Sequence, residues 1–236
     1  MTRSGAPVGI LMLDTAFERI VGDIGNSATF AYPVRYRVVE GASAARVVLD
    51  RGRGLLPAFI AAARELVADG VLALTTSCGF LALFQRELAA AVPVPVATSA
   101  LLQVGLIESM LAPGRRAGIV TASRTALTAA HLAAAGVAAD TPIAGVDPEG
   151  HFHRVFVDGA CVALDRAAAE RDVVAAANAL VAADRGSVGA IVLECTNMPP
   201  YAAAVGAATG LPVHDIRTLV DWLRAGALAA TASGRG

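Results

Sequence analysis

The sequence predicts an α/β protein built from two similar α/β subdomains, each with a parallel sheet, related by a pseudo-two-fold axis. Apolar runs of strand type alternate with alanine-rich runs of helix type along the chain. This alternation is typical of parallel strands covered by helices on both faces. The order of segments in the first half recurs in the second, and each half has one cysteine where a strand-like run meets a helix-like run. We therefore expect the active site in the cleft between the subdomains, where the carboxyl ends of the strands meet.

Six segments have the composition of buried parallel strands, because valine, leucine, isoleucine and alanine follow one another without alternation. These strands are predicted over residues 8–13, 71–75, 94–98, 117–121, 190–194 and 211–214. Helices are predicted over residues 55–68, 80–91, 100–111, 126–135, 159–183, 201–209 and 216–230. Gly70, Gly136 and Gly210 each follow a predicted helix, as glycine commonly does. Residues 21–53 and 141–158 depart from the alternation, so we expect a functional polar loop and a segment that caps the second half.

The internal repeat sets the predicted domain boundaries. Gly9-Ile10-Leu11 precedes Asp14-Thr15, and the similar Gly118-Ile119-Val120 precedes Thr121 and Ser123. A duplicated α/β unit explains this order, with one cysteine in each copy. We expect a first subdomain of residues 1–98 together with 215–236, whose helix packs back, and a second subdomain of residues 99–214.

Composition excludes several classes of function. The chain has 236 residues, a formal net charge of -1 and only 5% aromatic residues, which gives no basis for nucleic-acid binding. It contains no lysine, so a lysine Schiff base with pyridoxal phosphate and a Gly-Lys-Ser/Thr phosphate loop are both excluded. No Gly-x-Gly-x-x-Gly motif opens a helix after a strand, and we expect no cofactor.

No segment indicates a membrane or a secretion signal. The longest charge-free stretch, residues 88–107, is interrupted by Pro93 and Pro95, whereas a spanning helix needs about 20 strongly apolar residues. The apolar run at residues 8–13 is shorter than the core of a signal peptide. Three cysteines do not make a disulfide framework, so we expect a cytoplasmic protein. Cys161 falls within a helix-like run, and we interpret it as a core residue.

The other two cysteines are the candidate catalytic residues. Cys78 lies in Thr76-Ser77-Cys78-Gly79-Phe80, and Cys195 lies in Glu194-Cys195-Thr196-Asn197. A helix that begins at such a junction brings partial positive charge, which lowers the pKa of a thiol. The backbone N–H groups that follow each cysteine could bind a substrate carboxylate. We therefore predict two reactive thiols facing one small molecule.

The candidate substrate-binding residues are small or polar and lie at the same strand ends or in the polar loop. They are Asp14, Thr15, Asn26, Thr76, Gly79, Phe80, Thr121, Ser123, Thr196 and Asn197. Candidates for a carboxylate-binding arginine are Arg19, Arg35, Arg37 and Arg53. Glu194 is predicted to point away from Cys195, because neighbouring side chains on a strand face opposite sides.

His151 and His153 would share one side of a strand, as two ligands of one metal ion can. No further ligands have suitable spacing, and we expect no metal.

The two cysteine motifs resemble those of the aspartate/glutamate racemase superfamily, which includes glutamate, aspartate and hydantoin racemases, maleate isomerase and arylmalonate decarboxylase. The segment 195–199, Cys-Thr-Asn-Met-Pro, is similar to the Cys-Thr-His-Tyr-Pro of glutamate racemases, with Asn197 in place of histidine. The first motif lacks the Asn-Thr that follows the cysteine in those enzymes. Asp14-Thr15 is similar to an Asp-Ser that follows the first strand in the family. The resemblance extends over essentially the whole chain.

The resemblance implies a cofactor-independent isomerase, an amino-acid racemase in which Cys78 and Cys195 exchange protons on opposite faces of the α-carbon. It also implies an amino-acid or small carboxylate substrate and a homodimer. Two alternatives stay open. One is an isomerase-like or decarboxylase-like enzyme acting on a small carboxylate, and the other is an inactive protein that only binds a small molecule.

Overall fold

The computed structural model describes residues 5–160, 163–184 and 186–233. Eight parallel strands in this part of the chain form two four-stranded sheets. The first sheet has the order β2-β1-β3-β4 and the second has the order β6-β5-β7-β8. The first comprises β1 (Val8–Leu13), β2 (Val34–Val39), β3 (Ala73–Thr76) and β4 (Val96–Ala97). The second comprises β5 (Arg116–Thr121), β6 (Ile143–Gly145), β7 (Val188–Leu193) and β8 (Val213–His214).

Helices flank both sheets, which confirms the predicted α/β class. They are α1 (Ala44–Val48), α2 (Leu56–Ala68), α3 (Gln85–Ala91), α4 (Val104–Met110), α5 (Ala129–Ala134), α6 (His151–Phe156), α7 (Arg166–Ala183), α8 (Ala202–Thr209) and α9 (Ile216–Ser233). Short 3₁₀ helices cover Ser27–Thr29, Gly79–Phe84, Ala100–Gln103 and Pro199–Tyr201.

The two sheets repeat one arrangement, in which the first strand of each half is central and pairs with the second and third strands. β1 is buried along its whole length. Gly9 and Gly118 lie at equivalent places on the two central strands. A Cβ atom at Gly9 would be 2.6 Å from Leu74 Cδ2, and one at Gly118 would be 2.7 Å from Leu180 Cδ2. Both glycines are therefore needed because apolar side chains pack directly on the strand backbone.

Two strands lie where the sequence predicted a polar loop and a capping segment. β2 falls within residues 21–53 and β6 within 141–158, and both are edge strands. Because edge strands are only partly covered, β2 carries two arginines and lacks the continuous apolar composition by which the other strands were recognised. The predicted helix at 159–183 begins only at Arg166, where the Asp165 side chain accepts hydrogen bonds from two helix N–H groups. Cys161, predicted to be a core residue, lies outside the described residues.

Contacts between the two halves come from several elements. α9 packs against β3 and β4 of the first sheet and β8 of the second. Gln103 Nε2 donates to the carbonyl oxygen of Asp215 over 2.8 Å. Tyr32 Oη donates to Asp221 Oδ1 over 2.6 Å, which ties α9 to the first half. The domain boundaries given above remain predictions. Of the helices described, none combines the length and apolar character needed to cross a bilayer.

Candidate active site

The two cysteines occupy equivalent places in the two halves. β3 ends at Thr76 and β7 ends at Leu193, so Cys78 and Cys195 are each the second residue beyond the third strand of their half. The residues between, Ser77 and Glu194, are also equivalent: Ser77 N donates to Leu11 O over 2.9 Å and Glu194 N to Val120 O over 2.8 Å. The fold therefore places one thiol from each half at facing strand ends.

Both cysteines line one small buried cavity between the halves. The first half contributes Leu13, Thr15, Phe17, Arg19, Ala44, Val48, Ser77, Cys78, Gly79 and Phe80, and the second contributes Ala122, Phe156, Val157, Glu194, Cys195, Thr196 and Asn197. Thr196 Oγ1 donates to Ser77 O over 2.6 Å and joins the two cysteine loops directly. The cavity volume is about 20 Å³, which is room for about one water molecule.

A larger cavity of about 590 Å³ adjoins the inner one. Thr15, Phe17, Ala44 and Val157 line both cavities. The Phe17 ring packs edge-on against Phe156, with ring centroids 4.8 Å apart. These side chains form the wall that a ligand entering from the outer cavity must displace.

The pKa of each thiol is raised, which contradicts the expected depression. Burial, followed by the nearby Glu194 carboxylate, raises the pKa of Cys78 to about 12. The same two causes raise the pKa of Cys195 well above its usual range. Hydrogen bonds from Phe80 and Leu81 N–H to Cys78, and from Asn197 N–H to Cys195, act in the lowering direction. The helix-terminus effect is therefore present, but burial and a neighbouring negative charge outweigh it.

Glu194 lines the same cavity as the two thiols, contrary to the prediction that it points away from Cys195. β7 ends at Leu193, so strand alternation no longer applies at residues 194 and 195. The Glu194 side chain is fully buried. Its Oε2 accepts a 2.8 Å hydrogen bond from Thr121 Oγ1, whereas Oε1 has no hydrogen-bond partner among the described residues. Burial raises the pKa of Glu194 to about 7.

Arg19 is the cationic residue of the cavity lining as described. Its Nη1 forms a 2.9 Å ion pair with Asp23 Oδ1 and its Nη2 donates to Thr15 Oγ1 over 2.8 Å. The guanidinium lies 4.6 Å from the centre of the Phe17 ring. Asp23 Oδ2 accepts from Asn197 Nδ2 over 2.6 Å, and Asn197 Oδ1 accepts from Cys195 Sγ over 3.6 Å. A continuous polar network thus connects Arg19 to the Cys195 thiol.

The structure brings seven of the twelve predicted site residues to the inner cavity. They are Cys78, Cys195, Thr15, Gly79, Phe80, Thr196 and Asn197.

The other five lie outside that lining, each with a different role. Asp14 lines the outer cavity. Thr121 holds Glu194. Asn26 caps the 3₁₀ helix at Ser27–Thr29 and donates to Arg19 O. Thr76 Oγ1 donates to the carbonyl oxygens of Cys78 and Thr98. Ser123 Oγ accepts from Ala126 N. These residues shape the loops around the cavity.

Of the four candidate arginines, Arg19 alone is placed at the inner cavity by the described structure. Arg35 is exposed on β2, Arg37 pairs with Glu65 and Asp69 on the surface, and Arg53 is exposed.

The two candidate metal ligands, His151 and His153, belong to the short helix α6 and not to a strand. His151 Nε2 accepts a hydrogen bond from Asp165 N over 2.8 Å, and His153 lies beside Asp158. In the ranges that the structure describes, no group of three or more His, Cys, Asp or Glu residues could hold a metal ion.

Solved structures with the same two-sheet arrangement identify the fold. An allantoin racemase from Pseudomonas fluorescens superposes with a TM-score of 0.58 over 97% of this chain and 91% of its own, at 15% identity. Unliganded arylmalonate decarboxylase superposes with a TM-score of 0.57 over 95% and 92% of the two chains, at 14% identity. The chain shares the fold of these two enzymes. The family resemblance inferred from the cysteine motifs is therefore confirmed at the level of fold.

Curated proteins that are similar in sequence over nearly the whole chain have a different kind of activity. A dimethylsulfoniopropionate lyase of Durusdinium sp. clade D is 29% identical over 226 residues, which cover 92% of this chain and 73% of that protein. Dimethylsulfoniopropionate lyases 5 and 7 of Emiliania huxleyi are each 30% identical, over 94% and 89% of this chain. The chain spans 45% and 64% of the length of those two proteins. No protein-family model matches the chain.

These relatives correct the functional expectation. The prediction of an amino-acid racemase, and of an isomerase in general, is wrong, because the relatives similar along nearly the whole chain are lyases. The racemases resemble the chain in fold, at about half that sequence identity. A duplicated fold with one thiol in each half is therefore not sufficient to assign racemisation.

Proposed function

We propose that the protein is a lyase that cleaves dimethylsulfoniopropionate or a closely related zwitterion. The observation that carries the proposal is the similarity of nearly the whole chain to proteins named dimethylsulfoniopropionate lyase. In the proposed reaction a base removes a proton from the carbon next to the carboxylate. The C–H electron pair forms the double bond of acrylate, and the C–S electron pair leaves with dimethyl sulfide.

The contents of the inner cavity support an elimination of this kind. Racemisation needs an acid/base group on each face of a carbon, whereas elimination needs one base and a leaving group. The cavity offers three groups that can exchange protons, Cys78, Cys195 and Glu194. Cys78 and Glu194 are buried, and Cys195 is partly buried. We propose Cys78 and Cys195 as the acid/base candidates, with Thr15, Gly79, Phe80, Thr196 and Asn197 forming the walls around the substrate.

The charge balance of the cavity favours a zwitterion over a dicarboxylate. Arg19, the cation of the described lining, is already paired with Asp23, and Glu194 adds a buried carboxyl group. A dicarboxylate would bring two further negative charges into a site without an uncompensated cation, and buried charges are stable only when paired. A carboxylate that carries its own cation avoids this cost, and we propose that its carboxylate end lies on the Arg19 side of the cavity.

The test is release of dimethyl sulfide from dimethylsulfoniopropionate by the purified protein, measured by headspace gas chromatography. We expect release that falls at least 100-fold in Cys78→Ala or Cys195→Ala, with a circular dichroism spectrum like that of the wild type. Ser109→Ala, on the exposed side of α4, is the matched control and should keep full activity. Absence of release at high protein concentration, with turnover of maleate or an arylmalonate in parallel assays, would refute the proposal.

The homodimer expected from the family resemblance remains a prediction. Light scattering coupled to gel filtration tests it, and a single species of about 24 kDa would contradict it.

A further inference from the structure

Among the described residues that line the inner cavity, Glu194 is the one with a buried side-chain oxygen that has no hydrogen-bond partner. Its Oε2 is held by Thr121, but Oε1 has no hydrogen-bond partner in the part of the chain that the structure describes. The influences that lower its pKa are a hydroxyl, from Thr121, and a backbone N–H, from Ala122. In those same ranges no arginine or histidine lies within ion-pair distance of it.

Arg19, the cationic residue of the described cavity lining, already forms an ion pair with Asp23. Arg19 shares the cavity with Glu194, but its guanidinium pairs with Asp23, receives support from Thr15 and lies over the Phe17 ring. Asp23 in turn accepts a hydrogen bond from Asn197. The Arg19–Asp23 pair is therefore internally balanced, and the negative charge of ionised Glu194 is left for a ligand to balance.

The walls near Glu194 suit an alkylated cation. Phe80 and Phe156 line the same cavity, and aromatic rings attract cations that carry methyl groups. Glu194 Oε1 also lies against the loop that begins at Cys78, since a Cβ atom on Gly79 would be 2.1 Å from it. A cation bound at Oε1 would thus lie between the two cysteine loops.

From this geometry we propose that Glu194 is the specificity-determining residue that receives the cationic end of the substrate. The inference rests on the proposed function and deepens it, because it assigns the sulfonium group to Glu194 and the carboxylate to the Arg19 side of the cavity. The negative charge of Glu194 is one of the causes that raise the pKa of both cysteines. A cation beside Glu194 offsets that charge, so binding of the correct substrate makes a thiolate easier to form.

The test compares two ligands that differ in charge but hardly in shape. The first, 3-(dimethylammonio)propionate, is cationic at its nitrogen, and the second, 4-methylpentanoate, has a neutral carbon there. Dissociation constants are measured by calorimetry for the wild type, Glu194→Gln and Glu87→Gln. Glu87 is an exposed residue on α3 and serves as the matched control.

We expect the wild type and Glu87→Gln to prefer the cationic ligand at least tenfold at pH 8, and Glu194→Gln to prefer it less than threefold. An equal affinity of the wild type for both ligands, or an unchanged preference in Glu194→Gln, would overturn the inference. Loss of turnover in Glu194→Gln with the preference intact would also overturn it, and would identify Glu194 as a base.

A second measurement needs no variant. Glu194 is surrounded by the thiols of Cys78 and Cys195, the hydroxyl of Thr121 and, across the cavity, the Arg19–Asp23 pair. Both thiols have raised pKa values, so Glu194 is the cavity group that gains a proton near neutral pH. The wild-type preference should fall as the pH drops from 8 to 5.5, and a constant preference would count against the inference.

The two proposals can fail separately, because the binding assay does not require turnover. Preference for the cationic ligand without release of dimethyl sulfide would refute the proposed lyase and retain the cation site. Release of dimethyl sulfide without a preference for the cationic ligand would retain the proposed lyase and refute the cation site.

Discussion

The substitution Gly79→Ala adds one methyl group at the point where the two cysteine loops approach each other, and so tests that close approach directly. A Cβ atom there would be 2.1 Å from Glu194 Oε1 and 2.4 Å from the Glu194 carbonyl oxygen. Rotation of the Glu194 side chain can relieve the first clash but not the second, because the carbonyl belongs to the backbone that follows β7. Gly79→Ala therefore forces the two cysteine loops apart.

The size of the effect follows from the distances. Ordinary van der Waals contact of a Cβ atom begins at 3.4 Å, so the loops must separate by about 1 Å to move the Glu194 carbonyl oxygen from 2.4 Å to that distance. Overpacking of this kind costs about 1–3 kcal/mol of unfolding free energy. In a domain of this size that cost lowers Tm by roughly 2–4 °C per kcal/mol. Misplacement of reacting groups by about 1 Å can lower catalysis about 100-fold, so we expect kcat/KM to fall by about that factor.

The assay pairs thermal unfolding, followed by circular dichroism, with headspace measurement of dimethyl sulfide. Gly105→Ala is the control: Gly105 lies inside α4, and a Cβ atom there would meet nothing within 4 Å. That variant should be as stable as the wild type or gain about 0.5–1 kcal/mol from its helix propensity. If Gly79→Ala kept wild-type stability and activity, the close approach of the two loops would not exist in solution.

Three further predictions concern Glu194 and the wall of the cavity. Thr121→Val removes the hydroxyl that lowers the pKa of Glu194, so the rising limb of the pH–activity profile should move to higher pH; an unmoved limb would show that Glu194 does not govern it. Burial holds the pKa of Glu194 at about 7 in the folded protein, against 4.5 for an exposed glutamate, so the folded state binds the proton more tightly and wild-type stability falls as the pH rises from about 4.5 to 7. Glu194→Gln does not undergo this loss of about 3 kcal/mol in the free energy of unfolding. Chemical denaturation should therefore find the variant more stable than the wild type at pH 8 and equally stable near pH 4. A stability difference between the two proteins that does not change with pH would contradict the raised pKa of Glu194. Phe17→Ala removes the edge contact with Phe156 and should speed alkylation of Cys195 by N-ethylmaleimide at least tenfold, as followed by mass spectrometry; an unchanged rate would place the entrance elsewhere.

Much of the fold could be predicted because the central strands are buried on both faces. β1 and β7 consist almost entirely of apolar residues, and such runs are recognisable in any sequence. β2 was missed because an edge strand keeps one side partly exposed, and its arginines alternate with Val and Tyr. β6 is likewise an edge strand, and its three residues are all only partly buried.

The site could be predicted in its position but not in its electrostatics. The cysteine motifs identified the two loops, and seven of the predicted residues line the inner cavity. Glu194 was misplaced because the alternation rule was applied one residue beyond the last residue of β7. The raised thiol pKa values could not be foreseen, because they depend on burial and on the Glu194 carboxylate. Glu194 comes from the other half of the fold with respect to Cys78, and it is the residue before Cys195. The proposed reaction came from the relatives and not from the fold, since one scaffold can serve unrelated reactions.

The equivalence of Ser77 and Glu194 has a consequence for how the protein distinguishes the two ends of a ligand. A perfectly symmetric cleft would hold a bifunctional ligand in either of two opposite orientations with equal free energy. Here the hydroxyl of Ser77 is turned back to accept from Leu13 N, whereas its counterpart Glu194 brings a carboxylate to the cavity. This difference between the repeats helps to give the cleft a direction, and we expect it to influence which thiol meets which face of a bound molecule.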